Sequence, residues 1–334
     1  MTRNSNTPKV SVVMSICNEP LPWLRLAVES ILNQTSGDFE FIIVCDNPAF
    51  EEGIAYISQA AAEDSRISLI VNESNIGPTK SFNKAIAAAK GEYIARMDAD
   101  DIAFPERFEK QIAFLDANPQ ISVCATDVHI IDVDGNIIRR NKYKKKCRQA
   151  LNIIINCMAH PSVMYRRSLL EERCPIYNED YLYSQDYELW TFLMLKGHEF
   201  HTLAEALMFY RKSPAQISST RSSLQLNLFK KAHREFITKW LLLHEIITDD
   251  DTTDLETMLR KASAALRHRT FGTTDREYLT LIVYVLYFSI GTYSWKWKLR
   301  YLFDGNAISL RIPFIYTFRM LFSSKTRKNR TGFN

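Results

Sequence analysis

The chain has 334 residues, 46% hydrophobic and 24% charged, which is ordinary for a globular protein and enough for one large core with an appendage. Its net charge of +4 is too small to argue for nucleic acid. The six cysteines (Cys17, Cys45, Cys124, Cys147, Cys157 and Cys174) lie far apart with no C-x-x-C pair, which argues against a disulfide framework or a zinc site and suits free thiols in a reducing compartment.

In chain order, residues 1–9 are polar and lack the apolar core of a signal peptide, so a cytoplasmic location is expected. Val10 to Ile16 is a short apolar run, expected to be a buried parallel strand. Asn18-Glu19-Pro20 breaks it, and Leu21 to Gln34 carries Leu24, Val28, Ile31 and Leu32 at helical spacing. Phe39 to Cys45 predicts a second strand ending at Asp46, Glu51 to Ala62 a helix, and Ile67 to Val71 a third strand. Thr79 to Ala89 predicts the next helix, with Gly91 beyond its end in the place of a C-cap. Tyr93 to Met97 is the fourth strand. The helix after it has Pro105 in its first turn and Phe104, Phe108, Ile112 and Leu115 on one face.

Strands alternating with helices in this way predict βαβ units and an α/β fold with a mostly parallel sheet covered on both faces. Ligands of such sheets bind outside the carboxyl ends of the strands. Three of those ends carry polar groups: Asn18-Glu19, Asp46-Asn47 and Asp98 to Asp101. Neither G-x-G-x-x-G after the first strand nor a Walker sequence occurs, so phosphates would be held by a metal and scattered donors rather than by a glycine-rich loop.

The densest signal is Gly91-Glu92-Tyr93-Ile94-Ala95-Arg96-Met97-Asp98-Ala99-Asp100-Asp101. Three carboxylates in four positions repel one another unless a cation lies among them. A hard divalent ion, Mg²⁺ or Mn²⁺, takes one or two such carboxylates and leaves its other positions to phosphate oxygens and water. A solvated turn with a helix-capping aspartate is the plainer alternative.

From Ile121 the pattern is mixed. Ile121 to Thr126, Val128 to Val133, the turn Asp134-Gly135 and Ile137-Ile138 predict further strands with a hairpin. Arg139, Arg140, Lys142, Lys144, Lys145, Lys146 and Arg148 then form a basic run, a solvated face or a contact for an anionic lipid or diphosphate. Residues 221–292 have a helical pattern, and the apolar stretch Tyr278 to Thr292 is shorter than the roughly 20 residues that cross a bilayer. The last segment interleaves Trp295, Trp297, Tyr301, Phe303, Phe314, Tyr316, Phe318 and Phe322 with lysines and arginines, as an interfacial segment would; a packed helical appendage is the alternative.

Taken together these residues resemble the family 2 glycosyltransferases of the GT-A fold, in particular bacterial enzymes of O-antigen, capsule and other surface-polysaccharide synthesis. The carrying motifs are Val10 to Glu19, Asn75-Ile76-Gly77 with Ser81-Phe82-Asn83-Lys84-Ala85-Ile86, Ala95 to Asp101, Pro105 to Gln111, His160-Pro161-Ser162-Val163-Met164 and Ser184-Gln185-Asp186-Tyr187-Glu188-Leu189-Trp190. They run in order over about residues 8–220. The resemblance implies a GT-A Rossmann-like sheet flanked by helices over residues 1–220 and a C-terminal helical appendage over 221–334, with the basic aromatic tail associating with membrane.

It further implies an inverting, metal-dependent hexosyltransferase that uses a nucleotide-diphosphate sugar, UDP-linked above others. Asp46 would meet the base, with Asn18 and Glu19 near ribose and base and Asn83 in the nucleotide site. Many relatives carry two acids where this chain has Cys45-Asp46, and an Asx-turn at Asp46 is the structural alternative. Asp98 and Asp100 match the D-x-D, with Asp100 on the metal and Asp98 at the ribose or the metal's water shell. Asp186 is the implied general base, against the plainer role of an N-cap. His160 and Gln185 would line the acceptor or donor-sugar side, although a buried structural histidine fits His160 as well. Arg211 would meet the diphosphate, and Ser213 stands where relatives often have a histidine, which puts a third metal ligand there in doubt. The acceptor would be a polyprenyl-diphosphate-linked glycan at the inner face of the cytoplasmic membrane. Two rival readings remain. One is a non-catalytic, degenerate transferase that binds glycan or a partner. The other is a sugar nucleotidyltransferase, whose glycine-rich loop is missing after the first strand.

Overall fold

A computed structural model describes residues 7–141, 158–214, 216 and 222–289. The chain divides into two compact units, Met1–Arg234 and Glu235–Asn334.

Among the described residues the first unit is an α/β structure around a nine-stranded sheet. It opens with three βαβ units: β1 (Val10–Ile16), α1 (Leu21–Leu32), β2 (Phe39–Cys45), α2 (Glu51–Glu63), β3 (Ile67–Val71), α3 (Pro78–Ala88) and β4 (Tyr93–Asp98). These strands pair in parallel in the order β3-β2-β1-β4. β1 lies inside that set and is covered on both faces, so Val10, Val12, Val13, Met14 and Ile16 are all at most 1% exposed. Burial of each such side chain contributes about 1.5–3 kcal/mol, which is why an apolar run interrupted by Ser11 and Ser15, and not a strict alternation, marks this strand. α1 seats Leu24, Ala27, Val28 and Ile31 on the sheet, one stripe of a 3.6-residue period.

Gly91 lies past α3, but it is not the cap of that helix. Ala89 is the C-cap, in an extended conformation. The glycine is required by close approach instead: a Cβ there would come within 2.5 Å of Ser11 N and 2.7 Å of Val10 C. Its N–H also donates to Ser11 Oγ at 2.7 Å. Gly91→Ala is therefore expected to push β4 off β1 and cost about 1–3 kcal/mol, the scale of overpacking. Chemical denaturation should reveal it as a lower midpoint; an unchanged midpoint would mean that the strands yield freely.

The rest of the sheet is mixed. β5 (Ile102–Ala103) is followed by α4 (Arg107–Ala117), the long β6 (Ile121–Ile131), β7 (Ile137–Asn141), β8 (Met164–Arg166), α5 (Leu169–Glu172), α6 (Gln185–Leu195) and β9 (Glu199–Arg211). β8 bridges β4 and β6 in antiparallel pairing, β9 runs parallel to β6, and β5 pairs with the end of β9. The expected hairpin is β6–β7.

α4 differs from its sequence reading. Phe104 lies before the helix and meets Phe209 edge-on with centroids 4.7 Å apart, while Arg107 and Gln111 are fully buried alongside Phe108 and Leu115. Arg107 Nη2 donates to the Arg96 carbonyl at 2.8 Å and its Nε to Gln111 Oε1 at 3.0 Å. Gln111 Nε2 in turn donates to the carbonyls of Cys124 (2.7 Å) and Ser162 (2.9 Å). Burial pushes the Arg107 pKa down to about 10, so the guanidinium stays charged at neutral pH and ties β4, β6 and the 160–163 segment together.

After β9 the chain enters α7 (Ser222–Leu243), whose first half belongs to this unit. In the second unit α8 (Leu255–His268) is capped by Asp254, which accepts from Glu256 N and Thr257 N, and α9 (Thr273–Ser289) follows. Among the described residues no helix is long and apolar enough to cross a membrane. The tail from Tyr293 and most of the basic run (142–148) lie outside the described residues.

Candidate active site

The parallel register aligns β1 with both neighbours. Ile16 is level with Cys45, and Ser15 with Asp98. The polar residues just past these strands (Asn18 and Glu19, Asp46, Asp98 to Asp101) therefore share the carboxyl edge of the sheet, where open α/β sheets bind ligands. Asn18 is exposed and its Oδ1 accepts from Asn47 Nδ2 at 2.6 Å. Glu19 Oε2 accepts from Cys17 N at 2.7 Å. Burial raises the Glu19 pKa, and the charges of Asp100 and Asp98 add to the rise.

Asp46 is buried, and its carboxylate is engaged by the protein itself. It accepts from Asn72 Nδ2 (2.9 Å), Ile76 N (2.8 Å) and Gly77 N (2.9 Å). The Asx-turn in this loop is made by the next residue: Asn47 Oδ1 accepts from Ala49 N at 3.0 Å. Asp46 thus anchors the loop that enters α3, where Gly77 takes φ +89°, a left-handed conformation that favours glycine. Asn83, on α3, clamps a remote peptide. Its Oδ1 accepts from Tyr177 N (3.0 Å) and its Nδ2 donates to Tyr177 O (2.9 Å) and to Glu179 Oε1 (3.2 Å). Asn83→Ala would strand a buried N–H and C=O, at about 1–3 kcal/mol. The expected result is a lower denaturation midpoint with faster hydrogen exchange at the Tyr177 amide; unchanged exchange there would refute the clamp.

The acidic cluster closes at the end of β4. One oxygen from each of Asp98, Asp100 and Asp101 lies within 4.8 Å of the others. Asp100 Oδ2 accepts from Gln216 Nε2 at 3.2 Å. Burial, reinforced by Asp98, pushes the Asp100 carboxyl up to about 6. Asp101 is wholly buried; burial first, then Asp100 and Asp98, hold its carboxyl well above the usual range. Its Oδ1 accepts from Arg211 N at 2.8 Å, and its buried Oδ2 has no hydrogen-bond partner among the described residues. Arg211 is 2% exposed, and its guanidinium donates to the carbonyls of Asp100, Asp132 and Val133 while lying 4.8 Å from the centre of the Trp23 ring. That guanidinium fixes the cluster's backbone.

Arg96, two residues before Asp98 and on the same face of β4, is a buried cation that the sequence reading did not single out. Its Nη2 pairs with Asp98 Oδ1 at 2.7 Å, and its guanidinium stacks 4.3 Å over the Phe82 ring. Nε and Nη1 are buried with no hydrogen-bond partner among the described residues. Burial works against this charge, but Asp98, Tyr177 and Asp186 more than offset it, and the Arg96 pKa is raised. The lone signal in sequence was an arginine inside an otherwise apolar strand.

Asp186 is the second residue of α6, and Ser184 is the N-cap. The turn before the helix is set by Tyr183 at φ +71°, whose carbonyl accepts from Gln225 Nε2 of α7 at 2.8 Å. Tyr181 and Tyr187 pack with Ala232, Leu228 and Phe229 of the same helix. Gln185 has a buried Oε1 without a hydrogen-bond partner among the described residues. His160 is held by burial, and secondarily by the Arg96 charge, well below the ordinary histidine pKa; its Nε2 lies 2.8 Å from Tyr177 Oη. Ser213 is buried in the segment after β9, and among the described residues of that segment Gln216 reaches the cluster.

Residues 11–174 match the glycosyl transferase family 2 profile. The chain is 39% identical over 214 residues to an uncharacterized glycosyltransferase of Methanocaldococcus jannaschii, across 63% of this chain and 73% of that one. It is 30% identical over 211 residues to the O-antigen biosynthesis glycosyltransferase WbnJ of Escherichia coli, across 60% of this chain and 79% of that one. Among solved structures it resembles S. aureus TarS 1–349 in complex with UDP, with TM-score 0.56 and 15% identity over 98% of this chain and 94% of that one, a likeness of fold. The chain belongs to glycosyl transferase family 2.

Proposed function

We propose that this protein is an inverting glycosyltransferase that moves a hexosyl group from a UDP-sugar to a lipid-linked oligosaccharide in surface-polysaccharide synthesis. The observation that carries the reading is the acidic cluster: three carboxylates with ligand atoms within 4.8 Å of one another, at the sheet edge and at the family's D-x-D positions. The donor set suits Mg²⁺ or Mn²⁺, being all oxygen, and the unpartnered buried Oδ2 of Asp101 is the kind of group a cation would relieve. Asp98 and Asp100 would hold the ion, which when bound supplies a Lewis acid for the departing diphosphate. TarS structures in complex with UDP and with UDP-GlcNAc support a UDP-sugar donor. The O-antigen relative, and an amylovoran biosynthesis glycosyltransferase of Erwinia amylovora at 28% identity, support a surface-polysaccharide acceptor.

Asp186 is the general base of this reading. Its carboxylate accepts the proton of the acceptor hydroxyl as that oxygen bonds to the anomeric carbon. The bond from that carbon to the diphosphate breaks, and its electron pair leaves with the nucleotide. One displacement inverts the anomeric configuration. Arg96 links the two sides: it is paired with Asp98, and the charge of Asp186 acts on it as well. Ser184 occupies the N-cap position, and Asp186 stands in the first turn, where an acid also favours the helix. The basic, aromatic sequence from Tyr293 suits reversible attraction to an anionic membrane surface at the cytoplasmic face.

The test is a panel of nucleotide sugars incubated with the protein, Mn²⁺ and a membrane-lipid extract, with released nucleoside diphosphate read by mass spectrometry. Release from one donor, lost with a chelator, is the expected result. UDP binding with no release from any donor would favour a glycan-binding subunit without turnover.

A further inference from the structure

The residue that ties the acidic cluster to the chain beyond the sheet is Gln216. Its Nε2 donates to the Arg211 carbonyl at 2.6 Å and to Asp100 Oδ2 at 3.2 Å. Arg211 is itself immobilised: its N–H donates to Asp101 Oδ1 at 2.8 Å, its Nε to the Asp100 carbonyl at 2.9 Å, and its Nη1 to the carbonyls of Asp132 and Val133, both at 3.1 Å. One rigid residue thus grips the backbone of Asp100 and the side chain of Asp101, and through its own carbonyl it aims the amide that grips the Asp100 side chain.

Asp100 needs such a grip. Asp98 and Asp101 bring carboxylate oxygens within 4.8 Å of its own, and an anchored donor holds the carboxylate there against like-charge repulsion. A carboxylate oxygen has two lone pairs, so Oδ2 can keep the amide and still offer itself to a cation. Partners of this kind fix the orientation of metal-binding carboxylates, and their loss weakens metal affinity by about 10–100-fold.

We propose that Gln216 is a positioning residue of the cation site, holding Asp100 turned toward Asp98 and Asp101 by an amide that donates to its carboxylate and is kept in place by the Arg211 carbonyl, its other acceptor. The inference rests on Asp98 to Asp101 being a divalent-cation site, and it assigns a role to Gln216, a residue that none of the sequence motifs includes. It also explains why Ser213 need not be a ligand: what this segment supplies is orientation.

The test compares the full chain with Gln216→Met, which keeps the length and loses the donor, and with Gln216→Ala as a second variant. The probe is Mn²⁺ at saturating UDP, read by the EPR signal of free Mn²⁺ against protein-free controls. Affinity for Mn²⁺ should fall about 10-fold or more in both variants. Thermal stability and UDP affinity without metal should match the unsubstituted protein. Unchanged Mn²⁺ affinity would overturn the proposal. So would a fall in Tm and in metal-free UDP binding that accounts for the loss, because Gln216 would then be a structural tie only. Failure of the unsubstituted protein to take up Mn²⁺ would refute the cation site itself, and that result is read before any variant is compared.

Discussion

Asp186→Asn is expected to lower sugar transfer by about 10²-fold or more while UDP-sugar affinity stays within a few-fold, the pattern of a lost general base. The amide has the shape of the carboxylate but cannot accept the acceptor's proton. α6 is seated by Tyr187, Leu189, Trp190 and Leu193, all at most 1% exposed, and its start is tied to α7 through Gln225. The favourable effect of an acid in the first turn is about 0.3–1 kcal/mol, whereas a 10²-fold loss of rate is about 2.7 kcal/mol in the barrier. A fall in turnover with an unchanged Tm would therefore belong to chemistry and not to folding. Donor affinity falling in step with turnover would remove Asp186 from the role of base.

Asp100→Asn should have the second large effect, and it acts in two directions. Release of nucleoside diphosphate should fall by about 10³-fold, since electrostatic stabilisation of a leaving group is worth several kcal/mol. The metal-free protein should become more stable at pH 8. The sign follows from linkage. Burial and then Asp98 push the Asp100 carboxyl up to about 6, from an ordinary value of 3.8. The folded state therefore binds the extra proton more tightly than the unfolded chain does. Its contribution to stability is complete at low pH, is lost as pH rises from about 4 to 6, and at pH 8 amounts to an uncompensated cost of about 1–3 kcal/mol. Asparagine removes that charge. A metal-free Tm that rises at pH 8 and not at pH 4 is the expected signature; a Tm that falls at both would mean that the carboxylate supports the fold.

The first half of the fold was legible because its information is local. β1 to β4 and α1 to α3 were placed to within about two residues, since each strand is a short, mostly apolar run and each helix a single stripe. The hairpin β6–β7 followed from Asp134-Gly135 between two apolar runs. The clustering of Asp98, Asp100 and Asp101 was legible for the same reason, the three being neighbours in the chain. β9 was missed. Its Ala204-Glu205-Ala206 stretch breaks the alternation where the β6–β9 register shifts, so the strand's pattern makes sense only beside its partner.

The sequence by itself determined that this is an α/β chain with acids gathered at the carboxyl ends of its strands, because strand periodicity and like-charge repulsion act over a few residues. Only the tertiary structure decided what those groups do to one another. Asn83 binds a peptide 94 residues away, and Gln216 reaches Asp100 across 116 residues. Arg107 and Gln111 turned an expected apolar helix face into a buried polar tie. A hydrogen bond is directional and extends about 3 Å, so its partner is chosen by which backbones the folded sheet brings together, and no spacing along the chain encodes that choice.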